Sequence, residues 1–333
     1  MARISKPGLL DRVLRAIEES GRAVLVENAS HPFVLRVEHE GEFLRTRVYI
    51  WNVTHGGKSR AADEYRIQIT GVEKFSLAGV DRALVLGWWE EGGVFAAWDI
   101  SKHTDKLGSS PSFQVVEGCL IAAATESVAT QRKENDEIAV AFVPTFLADY
   151  IVDQSAIHGL ASSAKDLAAF TKIISDPGKP EAAVAAATAP RRVVLTQVAR
   201  KLREAGFSRR VLRAYANACA MCGVQLRLID AAHIIPVAKV NNDATCNGVA
   251  LCALHHRAYD RALVSMDEKY RIVLNPDRLA SLTAEHRVGG FPTFKKNLRA
   301  ILALPPALND RPDPDHIREG NRARGWKKFT RVA

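Results

Sequence analysis

Two closely spaced pairs of metal-binding residue types occur in the second half of this 333-residue chain. The first pair is Cys219 and Cys222, and the second pair is Cys252 and His255. This spacing and these ligand types are those of a closed tetrahedral zinc site. Such a site joins two chain segments and stabilises a small domain that lacks a large apolar core. The alternative is that Cys219 and Cys222 are small buried residues of an ordinary core.

The composition is that of a globular protein outside the membrane, and the length favours two domains. No apolar run reaches the ~18 residues of a membrane helix, and no secretory signal follows the N-terminus. The five cysteines are an odd number. They fit metal binding in a reducing compartment better than disulfides, with Cys119 and Cys246 predicted to be buried small residues. The sequence therefore predicts a cytoplasmic protein without a membrane partner.

The excess of positive over negative charge lies entirely in the second half of the chain. Residues 1–176 contain 19 Lys/Arg and 24 Asp/Glu, a balance of −5, whereas residues 177–333 contain 27 and 13, a balance of +14. Basic surfaces attract phosphate backbones through counterion release, although a basic half can also serve only solubility. The charge changes sign at the Pro-, Gly- and Ala-rich segment 177–190, which is predicted to be a linker. The predicted domains are 1–176 and 191–333, the second with a basic C-terminal tail.

Hydrophobic periodicity predicts an α+β protein with a β-rich N-terminal domain. A helix is predicted at Leu9–Ser20, and the segment from Glu117 to Ser175 has a more helical pattern. Between them, alternating apolar runs separated by turn residues predict strands at Phe33–His39, Phe43–Val53, Glu64–Thr70, Ala83–Trp89, Gly93–Ile100 and Ser112–Val116. In the second half, helices are predicted at Arg191–Ala205, at Ser208–Ala218 with Ser208 as N-cap, and at Lys295–Leu302.

Three further polar residues lie between or beside the predicted zinc ligands. They are His233 in an Ala-Ala-His-Ile-Ile-Pro run, Asn247 before a glycine, and His256 in Leu-Cys-x-x-His-His. This combined motif resembles the HNH endonuclease family, in the branch whose first histidine lies in an Ala-His-Ile-x-Pro run. The resemblance covers roughly residues 208–290, about a quarter of the chain. It implies a zinc-stapled ββα-metal nuclease domain, in which two antiparallel strands and a helix surround one catalytic metal.

The resemblance also implies a role for each of these residues. His233 would act as general base on water, for which a histidine has a suitable pKa. Asn247 would orient that base, and His256 would bind the catalytic divalent cation. The family's offset between asparagine and histidine assigns His255 to zinc and His256 to catalysis, and adjacent helical residues point about 100° apart. The alternative is that His233 and His256 are structural residues or additional zinc ligands.

The chain departs from the family pattern at Ala232, where many members have a metal-binding aspartate or histidine. Asp230 and Asp260 could supply a carboxylate instead, directly or through water. Asp260 could equally cap its helix or pair with Arg257 or Arg261. The identity of the catalytic metal is left open among Mg²⁺, Mn²⁺ and Ni²⁺.

The N-terminal domain is a candidate reader of the nucleic acid target. A flipped base could stack on Tyr49, Trp51, Tyr65, Trp88, Trp89 or Trp98, and phosphates could be held by Arg45, Arg47, Lys58, Arg60 and Arg66. Further candidate phosphate contacts in the second half are Arg209, Arg210 and Arg213. Aromatic residues in strands are usually core, however, and the −5 balance opposes a broad phosphate-binding face. Sensing of a protein or a small molecule is therefore an alternative.

Together these features predict a metal-dependent HNH DNA endonuclease of restriction type that carries one structural zinc. Its partner would be double-stranded DNA, with a modified base as one option, and a homodimer would allow both strands to be cut. Two alternatives remain. One is a nuclease effector of a defence system gated by a ligand of the N-terminal domain, and the other is a catalytically degenerate, zinc-stabilised DNA-binding protein.

Overall fold

The computed structural model describes residues 3–57, 60–133, 136–237 and 242–332. The chain divides into two compact units, Met1–Ala205 and Gly206–Ala333. The helices are α1 Lys6–Glu19, α2 Glu117–Glu126, α3 Leu147–Gly159, α4 Ala164–Ser175, α5 Glu181–Ala186, α6 Ala189–Ala214, α7 Ala253–Asp260, α8 Pro276–Ala284, α9 Phe291–Lys296 and α10 Pro314–Ala323. The strands are β1 Val24–Asn28, β2 Phe33–His39, β3 Glu42–His55, β4 Glu64–Gln68, β5 Arg82–Trp89, β6 Val94–Trp98, β7 Ser112–Val116, β8 Val128–Arg132, β9 Ile138–Phe142, β10 Ile229–His233, β11 Gly248–Cys252, β12 Val264–Met266, β13 Ile272–Leu274 and β14 Thr330–Arg331. No helix among the described residues is both long and apolar enough to pass through a membrane.

The N-terminal unit is built on one large sheet with the order β1-β2-β3-β5-β6-β9-β8, and β4 and β7 extend from β3. All pairings are antiparallel except β3 with β5. The central strands β6 and β9 are buried along their whole length, which requires apolar residues on both faces. Helices α1, α3 and α4 contribute to the core on one face, whereas α2 contributes to the core on the other.

The α+β class and the β-rich N-terminal half are confirmed. The six predicted strands are all present, with ends that differ by a few residues from the prediction. Strands β8 and β9 lie within the segment that was predicted to be helical. The alanine content of β9 concealed that strand, because alanine favours helices: it reads Ile-Ala-Val-Ala-Phe and is buried along its whole length.

The boundary between the two units lies after the predicted linker. Segment 177–190 contains α5 and the start of α6, and the division at 205/206 falls within α6. Ala183 and Ala187 are buried in the N-terminal core, and the first half of α6 adds Leu195 and Leu202 to it. Small residues in this segment therefore serve close helix packing rather than chain flexibility.

The C-terminal unit has a small core around the β10–β11 hairpin and helix α7. A second sheet, in the order β12-β13-β14, and helix α10 complete it. Two helix predictions fail here. The predicted helices on either side of residue 207 are the single helix α6, so Ser208 lies inside a helix and is not its N-cap. The predicted helix at 295–302 is also wrong, because α9 ends at Lys296 and Ile301 forms a β-bridge with Arg271.

Candidate active site and metal centre

Strands β10 and β11 and helix α7 form a ββα unit that carries most of the predicted site residues. The strands pair antiparallel, with Ile229 opposite Cys252 and His233 opposite Gly248. Gly248 is required by close packing: a β-carbon there would lie 2.3 Å from Val211 and 2.9 Å from Phe207 of α6. The hairpin thus places His233 at the end of one strand, and Cys252 passes directly into α7 at the end of the other.

The four predicted zinc ligands converge in this unit. Their ligand atoms all lie within 4.8 Å of one another, and they are the only such cluster of three or more metal-binding side chains in the described parts of the chain. The Nδ1 atom of His255 lies 3.2 Å from the Cys252 sulfur and 3.5 Å from the Cys219 sulfur. The Cys222 and Cys252 sulfurs are 4.0 Å apart.

These distances fit a tetrahedral zinc ion. With Zn–S bonds of about 2.3 Å, two coordinating sulfurs lie roughly 3.8 Å apart, and a sulfur and an imidazole nitrogen roughly 3.5 Å apart. The backbone supports the first pair of ligands, because Gly223 N donates to Cys219 O and Ala220 N donates to Ala250 O on β11, both at 2.8 Å. The cluster could therefore staple the first cysteine pair to the hairpin and to α7.

The His233 ring is fixed on two sides. Its Nε2 atom lies 2.9 Å from the Asp243 Oδ1 atom, and the Phe207 ring stacks on it with centroids 3.7 Å apart and planes 11° apart. Because a carboxylate only accepts hydrogen bonds, this contact favours the tautomer protonated at Nε2. The Nδ1 atom is then the ring nitrogen with a free lone pair.

Asn247 is fully buried and holds the backbone that follows His233. Its side-chain oxygen accepts from Ile235 N at 2.9 Å, and its side-chain nitrogen donates to Asn242 O at 2.8 Å. Its side-chain nitrogen also donates to Ile235 O at 3.4 Å, and its backbone carbonyl accepts from Ile234 N at 2.8 Å. The partner that the structure gives to the His233 ring is Asp243, so Asn247 orients the histidine only through the main chain.

His256 lies between two carboxylates. Its Nδ1 atom is 3.3 Å from Asp230, and its Nε2 atom is 3.4 Å from Asp260. The hydrogen bond to Asp230 is the main cause that raises the pKa of His256, opposed by burial and reinforced by Asp260. Ala232 is buried in the core and offers no ligand. Each ring nitrogen of His256 thus faces a different carboxylate, and a nitrogen with a neighbouring carboxylate oxygen is a donor pair that suits a divalent cation such as Mn²⁺ or Mg²⁺.

Arg324 joins the surroundings of the two histidines. Its guanidinium donates to His233 O at 2.9 Å and to Ile234 O, lies 4.1 Å from the Tyr259 ring, and is 3.8 Å from Asp260. Helix α10, which precedes Arg324, packs directly on this backbone, since a β-carbon at Gly320 would lie 2.2 Å from Ile234 O. The C-terminal helix is therefore part of the wall of the site.

The site contains three residues that the sequence analysis did not single out, namely Asp243, Phe207 and Arg324. Arg324 is 91 positions from the carbonyl that it binds, so spacing gave no indication of the contact. Phe207 occupied the gap between two predicted helices. Asp243 stands in a polar Asn-Asn-Asp run, where a carboxylate is ordinarily a turn residue.

The aromatic candidates of the N-terminal unit are mostly core residues. Trp51 is 5 % exposed, with its ring packed against His31 at 4.8 Å and under Lys6 Nζ at 4.5 Å. Tyr49, Trp88, Trp89 and Trp98 are buried as well. Tyr65 is half-buried and donates to Glu117. In this conformation the Trp51 ring is almost fully buried, so a flipped base could stack on it only if its neighbours moved.

The arginine candidates differ in how far they are already committed. Arg45 pairs with Glu27 and donates to Gly79 O, Arg47 donates to Ser76 O and Ala78 O, and Arg60 pairs with Glu64. Arg66 is half-buried on β4, and Lys58 lies outside the described residues.

The candidate phosphate contacts of the C-terminal unit lie together near the end of one helix. Arg209, Arg210 and Arg213 lie at the end of α6, where Arg210 donates to Asp243 O at 2.7 Å. Burial, followed by the charges of Arg210 and Arg213, lowers the pKa of Arg209. This concentration of positive charge adjoins the loop that carries Asp243.

Two parts of the chain match known protein families. Residues 44–151 match the family described as Methylase-associated X1, and residues 219–267 match the family described as HNH endonuclease. No curated protein matches the chain. A matching solved structure is described as "Modification dependent TagI restriction endonuclease"; it is 14% identical, with 83% of this chain and 80% of that chain covered, at a TM-score of 0.30. The resemblance inferred from the motif is confirmed by the match of residues 219–267 to the family described as HNH endonuclease.

Proposed function

We propose that this protein is a metal-dependent DNA endonuclease of restriction type, in which His233 is the general base and His256 binds the catalytic divalent cation. The observation that carries the proposal is the orientation of His233 by Asp243, Phe207 and Arg324 within a ββα unit whose helix presents His256 between two carboxylates. A histidine without a catalytic role does not need three separate side chains to fix its ring and backbone.

The residues of the chain account for the proton that must move. Water attacks the phosphorus while its proton passes to Nδ1 of His233, the bond from phosphorus to the leaving oxygen breaks, and that oxygen takes a proton from solvent water. The Asp243 carboxylate beside Nε2 stabilises the imidazolium that forms. His256, with Asp230 or Asp260, would hold the divalent cation, which supplies charge neutralisation on the phosphate when bound. The Cys219, Cys222, Cys252 and His255 cluster would hold a structural zinc ion.

The N-terminal unit we assign to target selection, in a cytoplasmic enzyme that acts on double-stranded DNA. Its support is the match of residues 44–151 to a family described as methylase-associated, since restriction enzymes act beside DNA methylases. Recognition of a modified base belongs to this proposal. Because the tryptophans of the sheet are buried, we expect the loops that join its strands, rather than the sheet itself, to contact such a base. A homodimer would supply the second active site for a double-strand cut.

Cleavage by a His233→Ala variant tests the catalytic assignment. Plasmid and genomic DNA, unmodified, methylated or hydroxymethylated, is incubated with Mg²⁺, Mn²⁺ or Ni²⁺, and the ends are sequenced. The parent is expected to cut, and the variant to lose at least ~100-fold in rate with DNA affinity unchanged, because general-base catalysis contributes ~10²–10⁴-fold. Asp243→Asn should retain part of the rate, since it keeps the ring contact and loses the charge.

The controls separate the remaining alternatives. His316→Ala changes a half-buried histidine of the same unit that lies 3.4 Å from Asn242, and it should still cut. A parent that binds DNA and cleaves nothing with any of the three metals is the degenerate DNA-binding protein instead. A parent that cleaves only after a small molecule is added is the ligand-gated effector.

A further inference from the structure

A large cavity of the C-terminal unit lies on the face of α7 next to the one that carries His256. It has a volume of about 770 Å³, which is within the range of ~300–1,000 Å³ of ligand sites. Helix α7, helices α8 and α9 and the glycine turn between them enclose it. Leu254, Arg257 and Ala258 form one stripe of α7 along the cavity, and Arg261, the C-cap residue of this helix, continues it at helical spacing.

The lining of this cavity combines an apolar floor with a basic rim. Leucine and phenylalanine side chains form the floor, including Leu279, Leu282, Phe291 and Phe294. The four charged residues of the lining are Arg257, Arg261, Arg278 and Arg287, and no aspartate or glutamate is among the described residues that line it. A cavity with this lining favours a ligand that is anionic and also has an apolar surface.

The arginines of this cavity are not neutralised by neighbouring carboxylates. Across the described parts of the chain, Arg257, Arg261 and Arg278 form no ion pair, and Arg287 has only a 3.9 Å contact with the exposed Glu285. Another cavity of the same unit, of about 490 Å³, shows the contrast. Two of its four arginines, Arg271 and Arg318, pair with Asp267 and Glu268, which are themselves part of the lining.

A nucleic acid strand with an unpaired base has both required properties. Its phosphates bind arginine, and its base offers a flat apolar face for aromatic and aliphatic side chains. A duplex presents only phosphates to such a rim and would leave the apolar floor unused. Arg257 follows His256 directly on α7, so a strand bound at His256 needs to pass only about 100° around a helix of ~10–12 Å diameter to reach the cavity.

We propose that this cavity binds an unpaired nucleotide of the DNA substrate, with the base on the floor formed by Leu279, Leu282, Phe291 and Phe294 and the flanking phosphates on the arginine rim. The inference rests on the proposed nuclease function, because it assigns the nucleotide to the strand held at His256. The binding chemistry itself requires only the residues of the cavity. Binding and cleavage can therefore be tested separately.

Fluorescence anisotropy on the full-length, zinc-loaded His233→Ala protein without added Mg²⁺ provides the test. The probes are a dT12 oligonucleotide, an abasic 12-mer with the same phosphates, and a 12-base-pair duplex. We expect dT12 to bind at least tenfold more tightly than the abasic strand. Adding Arg257→Gln and Arg261→Gln together should lower the affinity for dT12 at least tenfold. Adding Leu254→Ser instead should lower the affinity for dT12 more than the affinity for the abasic strand.

Adding Arg318→Gln to the same protein is the matched control, because this arginine lines the other cavity and is paired with Glu268 and Asp315. It should leave the affinity for dT12 within twofold, and circular dichroism and zinc content verify that each variant is folded. Equal binding of dT12 and the abasic strand would overturn the inference, as would unchanged dT12 binding in the double arginine variant.

Two further outcomes are informative. If an acidic peptide of alternating Leu and Glu displaces dT12 at lower concentration than unlabelled dT12 does, the cavity serves a protein partner and the inference is wrong. If the parent enzyme never cleaves DNA but dT12 binding depends on the base and on the arginines, the nuclease proposal fails while nucleotide binding stands.

Discussion

The two units of this protein obtain their stability in different ways. The N-terminal unit has a sheet covered on both faces, with strands such as β6 and β9 that are completely buried. The C-terminal unit has short strands, a helix α8 without a buried residue and a four-residue cluster of metal ligands. Apolar burial can hold the first unit alone, whereas the second needs a cross-link between its segments.

This difference also determines where chemistry can be located. In the C-terminal unit the same short elements provide core and site: Phe207 is a buried core residue and stacks on His233, and Gly320 gives α10 its close approach to Ile234. In the N-terminal unit the large aromatic residues are buried in the core. A small unit that builds its site from its core gains a fixed geometry, and it becomes sensitive to any loss of that core.

Removal of the metal from the cluster is expected to have the largest effect. Chelation, or Cys222→Ser, should unfold the C-terminal unit and leave the N-terminal unit folded. The binding free energy of a structural zinc ion, ~10–16 kcal/mol in small domains, is as large as the whole ~5–15 kcal/mol stability of a typical domain. Hydrogen exchange on peptides from both units measures this directly, and zinc analysis should give one ion per chain.

Two cysteine variants outside the cluster are the controls. Cys246→Ser changes a half-buried thiol of the same unit, and Cys119→Ser changes a buried thiol of the N-terminal unit. Both should keep the zinc and the protection of the C-terminal amides. If chelation instead unfolded both units together, the independence of the N-terminal core would be refuted.

The sequence contained enough information for the metal cluster and the ββα unit, but not for the packing that surrounds them. Ligand spacing is local, so Cys219, Cys222, Cys252 and His255 could be assigned to one ion. Strand periodicity is local too, and it located the main strands of the sheet. Strand β9 was missed because it has no alternation of polar and apolar residues and its two alanines suit a helix equally well.

Contacts between distant segments were beyond the reach of pattern and spacing. Asp243 and Arg324 act on His233 through a loop and through the end of the last helix, and ordinary surface roles explain both residues equally well in a linear sequence. The predicted phosphate contacts of Arg45 and Arg47 illustrate the same limit. The sequence shows that they are basic, and only the fold shows that Glu27 and backbone carbonyls already occupy them.

Loss of the paired hydrogen bonds from the Arg324 guanidinium should have the next largest effect. Arg324→Ala removes two hydrogen bonds to the backbone of His233 and Ile234 and is expected to lower kcat by roughly 100-fold, the order of magnitude for a catalytic group displaced by about 1 Å. The KM should change little, because the residue positions the base rather than the DNA. The cost in unfolding free energy should be about 1–3 kcal/mol.

Two substitutions distinguish positioning from charge. Arg324→Lys keeps the charge and cannot form the same two-pronged contact, so it should not restore kcat. Arg322→Ala, on the same helix, removes an exposed side chain paired with Glu319 and should leave kcat and stability nearly unchanged. Full activity of Arg324→Lys would show that the positive charge alone matters.

The smallest effect is expected when one arginine of each unit is substituted, and this comparison is the sharpest test of where DNA binds. Arg213 is exposed at the end of α6, and among the described residues it has no carboxylate partner, whereas Arg47 of β3 already donates to two carbonyls. In the His233→Ala protein, Arg213→Gln should reduce the slope of log Kobs against log salt for duplex DNA by about 1, because one phosphate contact is lost. Arg47→Gln should leave that slope unchanged, since a guanidinium committed to backbone carbonyls releases no counterion from DNA. The reverse result would place the duplex on the N-terminal sheet, and the division of labour between an apolar scaffold and a basic catalytic unit would then have to be abandoned.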